Sequence, residues 1–325
     1  MAFSEDQLLE KVNTYLATMP YVREPKGLYA PIEYVLSLGG KRIRPVLMLL
    51  SYQLYKENVD DILPQAAGIE TYHNYTLLHD DLMDCADMRR NKPTVHKVWD
   101  ENTAILSGDA MLVLAYRLMN NCPERYLKQV MDIFSQTALE ICEGQQWDME
   151  FETRNDVTVP EYMEMIRLKT SVLLSAALKI GAVLGGASED DARKLYDFGI
   201  KMGLAFQLQD DYLDVYGDSK VIGKNIGGDI LCYKKTFMLI YALALADGIQ
   251  RKELEKWIAS TAFCPEEKIK AVTALYDKIG IGGICEEKIN AYYVEGLSLL
   301  ESMAVPSERK EELKSFVCHL MNRKV

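Results

Sequence analysis

The sequence predicts an all-α fold, in which antiparallel helices form one bundle that takes in residues 1–325. Apolar residues recur at spacings of three and four, as on one face of a helix, in residues 43–57, 66–84, 124–151 and 191–215. All ten prolines lie where helices are expected to begin or end, and none occurs between Pro160 and Pro265. Alternating apolar and polar residues beside hairpin turns, which would indicate strands, are missing.

Helix start signals place several of the elements. Residues 4–7 and 158–161 both fit a capping box, the second with Pro160 inside the first turn. Ser188 precedes three acidic residues that favour the positive end of a helix dipole. We expect about a dozen helices in one domain, without linkers or repeats.

Composition restricts the function classes. With 49% hydrophobic and 26% charged residues the chain resembles a soluble globular protein, and a net charge of −11 argues against a nucleic-acid partner. We expect no stable membrane insertion, because the longest apolar candidate, 170–188, is interrupted by Lys179. The start of the chain lacks the pattern of a signal peptide, and the seven scattered cysteines without a CxxC pair indicate reduced thiols. A cytoplasmic location is therefore expected.

One short motif occurs twice. Residues 80–84 and 210–214 both read DDxxD, and both end long helical patterns. Residues four apart share a helix face, so Asp80 points the same way as Asp84. Two unit charges 4 Å apart repel by about 4 kcal/mol at an effective dielectric near 20. The doubled motif therefore predicts a bound cation.

A single DDxxD motif could simply be an acidic helix end that is exposed to solvent. Here, strongly hydrophobic flanks draw both copies towards the interior, where unpaired carboxylates are costly. Carboxylate ligands without thiolates or imidazoles suit a hard ion such as Mg²⁺, which also bridges to phosphate oxygens.

With these motifs the sequence closely resembles the trans-prenyl diphosphate synthases, the farnesyl and geranylgeranyl diphosphate synthase family. The resemblance runs in order through most of the chain. It covers residues 39–45, His73, the first motif with 89–90 and 92–94, 108–110, 169–170, 206–209 before the second motif, 223–224, and 228–230 leading to Lys234.

The resemblance implies the isoprenoid synthase type of helix bundle, with a central active-site cavity, and a magnesium-dependent prenyltransferase. Such enzymes join isopentenyl diphosphate to an allylic diphosphate (dimethylallyl, geranyl or farnesyl). Three Mg²⁺ ions would be held by Asp80, Asp84 and Asp210, with Asp214 as a further ligand and Asp81 and Asp211 assisting. The family also implies a homodimer.

Substrate contacts are implied in the same way. The allylic diphosphate would be bound by Arg89, Lys169, Lys224 and Lys234. Isopentenyl diphosphate would be bound by Lys41, Arg44, His73 and Arg90. Thr170 and Gln207 would lie beside the developing carbocation. Arginine forks and lysine point charges are suited to these diphosphates.

The sequence departs from the family pattern at two places. Asn91 stands where a glycine is usual, and Cys232-Tyr233 replace an acid-glycine pair before Lys234. The second change leaves Lys235 as an alternative phosphate contact, although we favour Lys234.

In this family the helix before the first motif forms the bottom of the pocket that holds the growing isoprenoid chain. Tyr72 and Tyr75 lie on one stripe, and Tyr75 precedes Asp80 by five residues, roughly 7.5 Å along the axis. We expect them to close the cavity early and give a product of fifteen or twenty carbons. Alternatively, both tyrosines only pack against neighbouring helices.

Three other functions share part of this sequence pattern. A class I terpene cyclase shares the first motif but needs neither the second DDxxD nor a second diphosphate site. A di-iron bundle needs two ExxH motifs, and only Glu70–His73 fits. A non-catalytic synthase subunit would lack catalytic positions, which are all present.

Overall fold

The computed structural model describes residues 3–21, 23–217, 226–260 and 262–321, and their regular secondary structure is helical apart from one short hairpin. The predicted all-α fold class is confirmed. The α-helices are α1 (Glu5–Thr18), α2 (Lys26–Ser37), α3 (Ile43–Gln53), α4 (Leu63–Met83), α5 (Val95–Val98), α6 (Glu101–Met119), α7 (Glu124–Thr153), α8 (Val159–Ile166), α9 (Val172–Gly185), α10 (Glu189–Tyr216), α11 (Gly228–Leu231), α12 (Phe237–Leu245), α13 (Gly248–Ala259), α14 (Pro265–Ile279), α15 (Ile281–Glu301) and α16 (Ser307–Met321). A 3₁₀ turn (Val59–Ile62) precedes α4, and a π-helical turn (Arg167–Ser171) joins α8 to α9.

The chain divides into two compact units. Unit 1 comprises Met1–Gln136, Ala176–Tyr196 and Ala304–Leu313, and unit 2 comprises Thr137–Ser175, Asp197–Met303 and Lys314–Val325. That residues 1–325 form a single domain stays a prediction.

In unit 1, α4 packs against α1, α2, α3 and α6, so most of its residues are buried. Gly108 of α6 lies against the His79 imidazole of α4, where any side chain would collide with the ring. This contact explains the glycine of the motif at 108–110. The buried core of this part of unit 1 consists of Tyr21, Ile32, Val35, Leu36, Leu78, Val95, Ala104 and Met111.

In unit 2, α11 packs against α14, and α12 packs against α8, α14 and α15. Their buried side chains form a core with those of α10, which includes Leu204, Leu208, Phe237, Leu275 and Ile281. This core fixes the end of α10, where the second DDxxD motif lies.

Three details of the sequence-based prediction differ from the structure. Met88–Arg89 (β1) pairs antiparallel with Lys92–Pro93 (β2), so a strand pair forms where none was expected. Pro31 lies inside α2, beyond the first turn, where its missing N–H removes one backbone hydrogen bond. The expected dozen helices is also slightly low for the described residues.

One stretch, Val159–Gly185, is long and apolar enough to cross a membrane by length and composition alone, with a mean hydropathy of 1.5. In the folded chain 83% of its most apolar window is buried inside the protein, as in a core helix. None of the seven cysteines, all of which lie in the described part of the chain, forms a disulfide.

Candidate active site

The first DDxxD motif lies at the C-terminal end of α4, with its three acids in different environments. Asp81 is buried, whereas Asp80 is half-buried and Asp84 is exposed. Asp84 caps the helix, and its backbone N–H donates to the Asp80 carbonyl at 2.9 Å. The outer two acids are thus one helical turn apart at the surface of unit 1, and the middle acid points inward.

Arg89 holds the middle acid. Its Nε donates to both carboxylate oxygens of Asp81, at 2.8 and 2.9 Å, and its Nη2 lies 3.6 Å from Asp80 Oδ2. Burial raises the pKa of Asp81, while the Arg89 charge and hydrogen bond lower it. Arg89 therefore orients the motif from the side.

The β1–β2 hairpin presents the neighbouring arginine. Its two-residue turn consists of Arg90 and Asn91, both with positive φ, 52° and 60°. A two-residue hairpin with two left-handed residues fits the twist of the strands, and asparagine tolerates this conformation better than most residues. Asn91 therefore replaces the usual glycine at little cost. Arg90 Nη1 donates to the Gly39 carbonyl, which places its guanidinium next to the loop before α3.

A cationic cluster surrounds His73 in unit 1. Arg44 Nη1 lies 3.2 Å from His73 Nε2, and burial lowers the pKa of Arg44 to about 10. Burial, and then the charges of Arg44, Arg90, Arg89 and Arg42, hold the pKa of His73 well below 6.5. The imidazole is therefore neutral at pH 7, and its Nε2 accepts from Arg44.

Lys41, the remaining residue predicted for isopentenyl diphosphate, is exposed just before α3. Arg44, His73 and Arg90 lie close together in unit 1, and this cluster has more positive than negative charge. Such a cluster suits a diphosphate.

The ExxH pair does not form a metal site. Arg42, in a left-handed conformation (φ 47°), reaches Glu70 with Nη1 2.7 Å from Oε1. Arg42 Nη2 also donates to the Leu36 carbonyl at 2.6 Å, and Asn74 Nδ2 donates to Glu70 Oε1 at 2.9 Å. Glu70 thus neutralises the charge of the buried Arg42 guanidinium. The sequence analysis missed this pair, because it considered Lys41 and Arg44 as diphosphate contacts and gave no role to Arg42.

The neutral state of His73 has a consequence for pH. We expect the free energy of unfolding to fall below pH 6.5, because the unfolded imidazole takes up a proton that the folded one does not. The contribution of His73 to the free energy of unfolding is fully present above pH 6.5. It falls by about 1.4 kcal/mol per pH unit between pH 6.5 and the lowered pKa of the folded state. Denaturant titrations of the wild type and of His73→Gln between pH 7 and 5 measure it. The variant should show the weaker pH dependence, and parallel curves would contradict the assignment.

The second DDxxD motif lies near the end of α10 in unit 2. Asp210 is half-buried, while Asp211 is only 4% exposed. Asp214 Oδ2 accepts from the backbone N–H of Asp229 at 3.0 Å, so the third acid holds the start of α11. Like the first motif, this one has an anchored middle acid and a more accessible first acid.

The buried Asp211 is surrounded by donors. Tyr162 Oη donates to Oδ2, the Phe237 backbone N–H reaches the same oxygen at 3.4 Å, and Gln207 Nε2 donates to Oδ1 at 3.2 Å. Burial raises the pKa of Asp211 to about 7, while the bonds from Tyr162 and Gln207 lower it. The sequence analysis gave no role to Tyr162. The one sequence feature that could have drawn attention to it is its position in the helix that begins with the capping box at 158–161 and leads to Lys169.

Lys169 and Thr170 lie on the π-helical turn. Lys169 Nζ is 2.6 Å from Asp148 Oδ2, and Thr170 Oγ1 donates to Gln207 Oε1 at 3.2 Å. Gly144 and Gly203 press against this turn from α7 and α10; a Cβ on Gly203 would lie 2.6 Å from Ser171 Cα. π-Turns in helices often occur at functional sites. The turn thus carries Lys169 and Thr170, and it places Thr170 beside Gln207 of α10.

Lys234 and Lys235 differ in environment. Lys235 is buried, its Nζ donates to the Glu152 carbonyl at 2.8 Å, and it lies 4.0 Å from the centroid of the Tyr233 ring. Lys234 is exposed and lines a shallow cleft with Asp229. This difference favours Lys234 for phosphate binding. The other lysine predicted for the loop, Lys224, lies outside the described residues.

Tyr72 and Tyr75 belong to an aromatic cluster in unit 1. Their ring centroids are 5.4 Å apart, and the Tyr72 ring lies 5.2 Å from that of Phe134. Phe134 in turn contacts Tyr116 at 4.9 Å. Tyr72 is buried and Tyr75 is half-buried. Phe134 and Tyr116 could not be found from the stripe on α4, since they come from α7 and α6.

Among the residues that the structure describes, no three His, Cys, Asp or Glu side chains are arranged as a metal site. Two carboxylates from a DDxxD motif still fit Mg²⁺. This ion keeps waters and takes phosphate oxygens, and rarely uses an all-protein cage.

The family model for polyprenyl synthetases matches residues 25–276. The chain belongs to the polyprenyl synthetase family. It is therefore a prenyltransferase with the isoprenoid synthase fold, and the cyclase alternative is not favoured.

A short chain isoprenyl diphosphate synthase from Methanocaldococcus jannaschii is 41% identical over 276 residues, 85% of this chain and 84% of that protein. A crystal structure of a geranylgeranyl pyrophosphate synthase is 44% identical, with a TM-score of 0.91 and 98% of both chains covered. A geranylgeranyl pyrophosphate synthase from Corynebacterium glutamicum, complexed with isoprenyl diphosphate and magnesium, is 25% identical, with a TM-score of 0.85 and 98% of both chains covered.

Proposed function

We propose that this prenyltransferase is a short-chain trans-prenyl diphosphate synthase. It condenses isopentenyl diphosphate with dimethylallyl, geranyl or farnesyl diphosphate, and releases farnesyl or geranylgeranyl diphosphate and diphosphate. The observation that carries the proposal is the matching construction of the two DDxxD motifs. In each, the middle acid is buried and anchored, and the first acid is left more accessible.

In this proposal Mg²⁺, three ions per site, supplies the positive charge that stabilises the departing diphosphate. The carboxylates that hold it are Asp80, Asp84, Asp210 and Asp214. Arg89, Lys169, Lys224 and Lys234 add fixed positive charge around the same diphosphate. These electrostatic terms also dominate phosphoryl transfer.

The second substrate, isopentenyl diphosphate, binds at the cationic cluster of unit 1 with Lys41, Arg44, His73 and Arg90. The neutral His73 provides hydrogen bonds there without adding charge. The allylic C–O bond ionises, the double bond of isopentenyl diphosphate attacks the cation, and a proton is lost to the released diphosphate. Thr170 and Gln207 present oxygens to the cation, while the site excludes water that would destroy it.

Incubation with isopentenyl diphosphate and each allylic diphosphate tests the proposal. We expect a linear product of fifteen or twenty carbons that is lost with EDTA and regained with Mg²⁺. No condensation with any allylic partner would favour a non-catalytic subunit. Release of a cyclic hydrocarbon from an allylic diphosphate alone would favour a cyclase.

The cluster formed by Tyr72, Tyr75 and Phe134 supports early closure of the pocket for the growing chain. We expect Tyr72→Ala and Tyr75→Ala each to lengthen the product by at least one isoprene unit, because each removes a ring from that cluster. Chromatography of the dephosphorylated products measures this. Tyr52→Ala, which removes an equally buried ring from α3, is the control and should leave product length unchanged. Unchanged length in both variants would show that the two tyrosines only pack.

The proposal includes a homodimer in the cytoplasm without stable membrane insertion. Ile105, Leu106 and Val113 on α6 are 46%, 60% and 60% exposed. They lie on one face of that helix, and such an apolar patch is typical of a subunit interface.

A further inference from the structure

A chain of hydrogen bonds in unit 2 connects a buried tyrosine to the threonine on the π-helical turn. Tyr162 donates to Asp211, Gln207 donates to Asp211, and Thr170 donates to Gln207. We propose that Tyr162 is a positioning residue, which fixes through Asp211 and Gln207 the direction in which the Thr170 hydroxyl points. The inference rests on the proposed function, in which Thr170 and Gln207 lie beside the carbocation.

The direction of the chain follows from the partners of Asp211. The Phe237 backbone N–H can only donate, and it reaches Oδ2 at 3.4 Å. Tyr162 keeps its proton, because burial and the adjacent carboxylate hold its pKa well above 10. Both groups therefore donate to Oδ2 of one carboxylate, which leaves Oδ1 as the acceptor for the side-chain amide of Gln207.

The orientation of the amide then determines that of the hydroxyl. With Nε2 of Gln207 turned to Asp211, Oε1 faces Thr170 and accepts its proton at 3.2 Å. The lone pairs of Thr170 Oγ1 therefore point away from Gln207 while its proton is occupied. A developing cation is stabilised by an oxygen lone pair and opposed by a hydroxyl proton, so this orientation favours ionisation of the allylic substrate.

The chain lies in rigid surroundings. Tyr162 is 2% exposed and Asp211 is 4% exposed, so water does not compete for their bond. Gly144 and Gly203 hold the π-helical turn against α7 and α10, which fixes the Thr170 backbone. The remaining degrees of freedom are rotations of the Thr170 hydroxyl and of the Gln207 side-chain amide, and the chain of hydrogen bonds fixes both.

Tyr162→Phe removes one hydroxyl and keeps the ring. We expect kcat to fall by about 10- to 100-fold, less than the 10²–10³-fold for a donor that touches the reacting atoms, because Tyr162 acts through two other side chains. KM for both diphosphates should stay within about twofold. The control is Tyr52→Phe, which removes another buried tyrosine hydroxyl that donates to a carboxylate, Asp61, at 3.0 Å. It should leave kcat unchanged.

A double-mutant cycle separates positioning from stability. If Tyr162 acts through Thr170, then Tyr162→Phe should have little further effect on kcat in a Thr170→Val background. An equal loss of kcat in both backgrounds, or an unchanged kcat in the single variant, would overturn the inference. Failure of the wild type to condense any substrate pair would instead overturn the proposed function.

Discussion

Asp80→Asn is expected to lower kcat/KM for condensation by at least about 10²–10³-fold, the loss seen when one electrostatic stabiliser of a transition state is removed. The substitution keeps the size of the side chain and removes the charge that would hold Mg²⁺. Asp80 is half-buried at the end of α4, with Arg89 Nη2 at 3.6 Å. Arg89 keeps its two hydrogen bonds to Asp81 in the variant, so the fold should be retained.

Steady-state kinetics over a range of Mg²⁺ concentrations measure this loss. Asp132→Asn on α7 is the matched control, because Asp132 is exposed and forms an exposed ion pair with Lys128 one turn away. Exposed pairs of this kind contribute little, so its kinetics should equal those of the wild type. If Asp80→Asn also retained wild-type kcat/KM at every Mg²⁺ concentration, the first motif would have no role in catalysis.

Glu70→Ala is expected to destabilise the protein by about 3–5 kcal/mol. Arg42 and Glu70 are 5% and 2% exposed, and their charged atoms lie 2.7 Å apart. Removing the carboxylate leaves the Arg42 guanidinium buried without a counter-charge, which costs far more than the pair itself contributes. Denaturant unfolding measures the change.

The Lys11–Asp60 pair provides the comparison. It has the same separation, 2.7 Å, but its side chains are 28% and 51% exposed. Asp60→Ala should therefore cost no more than about 1 kcal/mol. Equal losses for Asp60→Ala and Glu70→Ala would contradict the view that burial of Arg42 sets the difference.

Sequence patterns predicted the helices and the two acid motifs, because both depend on local periodicity. The period of 3.6 residues places Asp80 and Asp84 on one face. The hydrophobic flanks were expected to draw the acids inward, but only the middle acids, Asp81 and Asp211, are buried. The cationic neighbourhood of His73 was also predicted, through the family motifs.

Features that depend on distant contacts could not be predicted. The Arg42–Glu70 pair joins residues 28 apart, and it requires a left-handed residue before α3. The π-helical turn exists where Gly144 and Gly203 come close to it from other helices. The role of Tyr162 depends on a partner 49 residues away. Local propensity carries no information about such pairings.

The proposed function requires Asp80 and Asp210 to bind the same diphosphate through divalent ions. Calorimetric binding of an unreactive thio-diphosphate analogue of the allylic substrate, with Mg²⁺, tests it in the wild type, Asp80→Asn, Asp210→Asn and the double variant. Two groups that hold one ligand should be coupled by about 0.5–3 kcal/mol in this cycle, and binding should be lost without Mg²⁺. Losses that simply add, or binding that does not need Mg²⁺, would contradict the account.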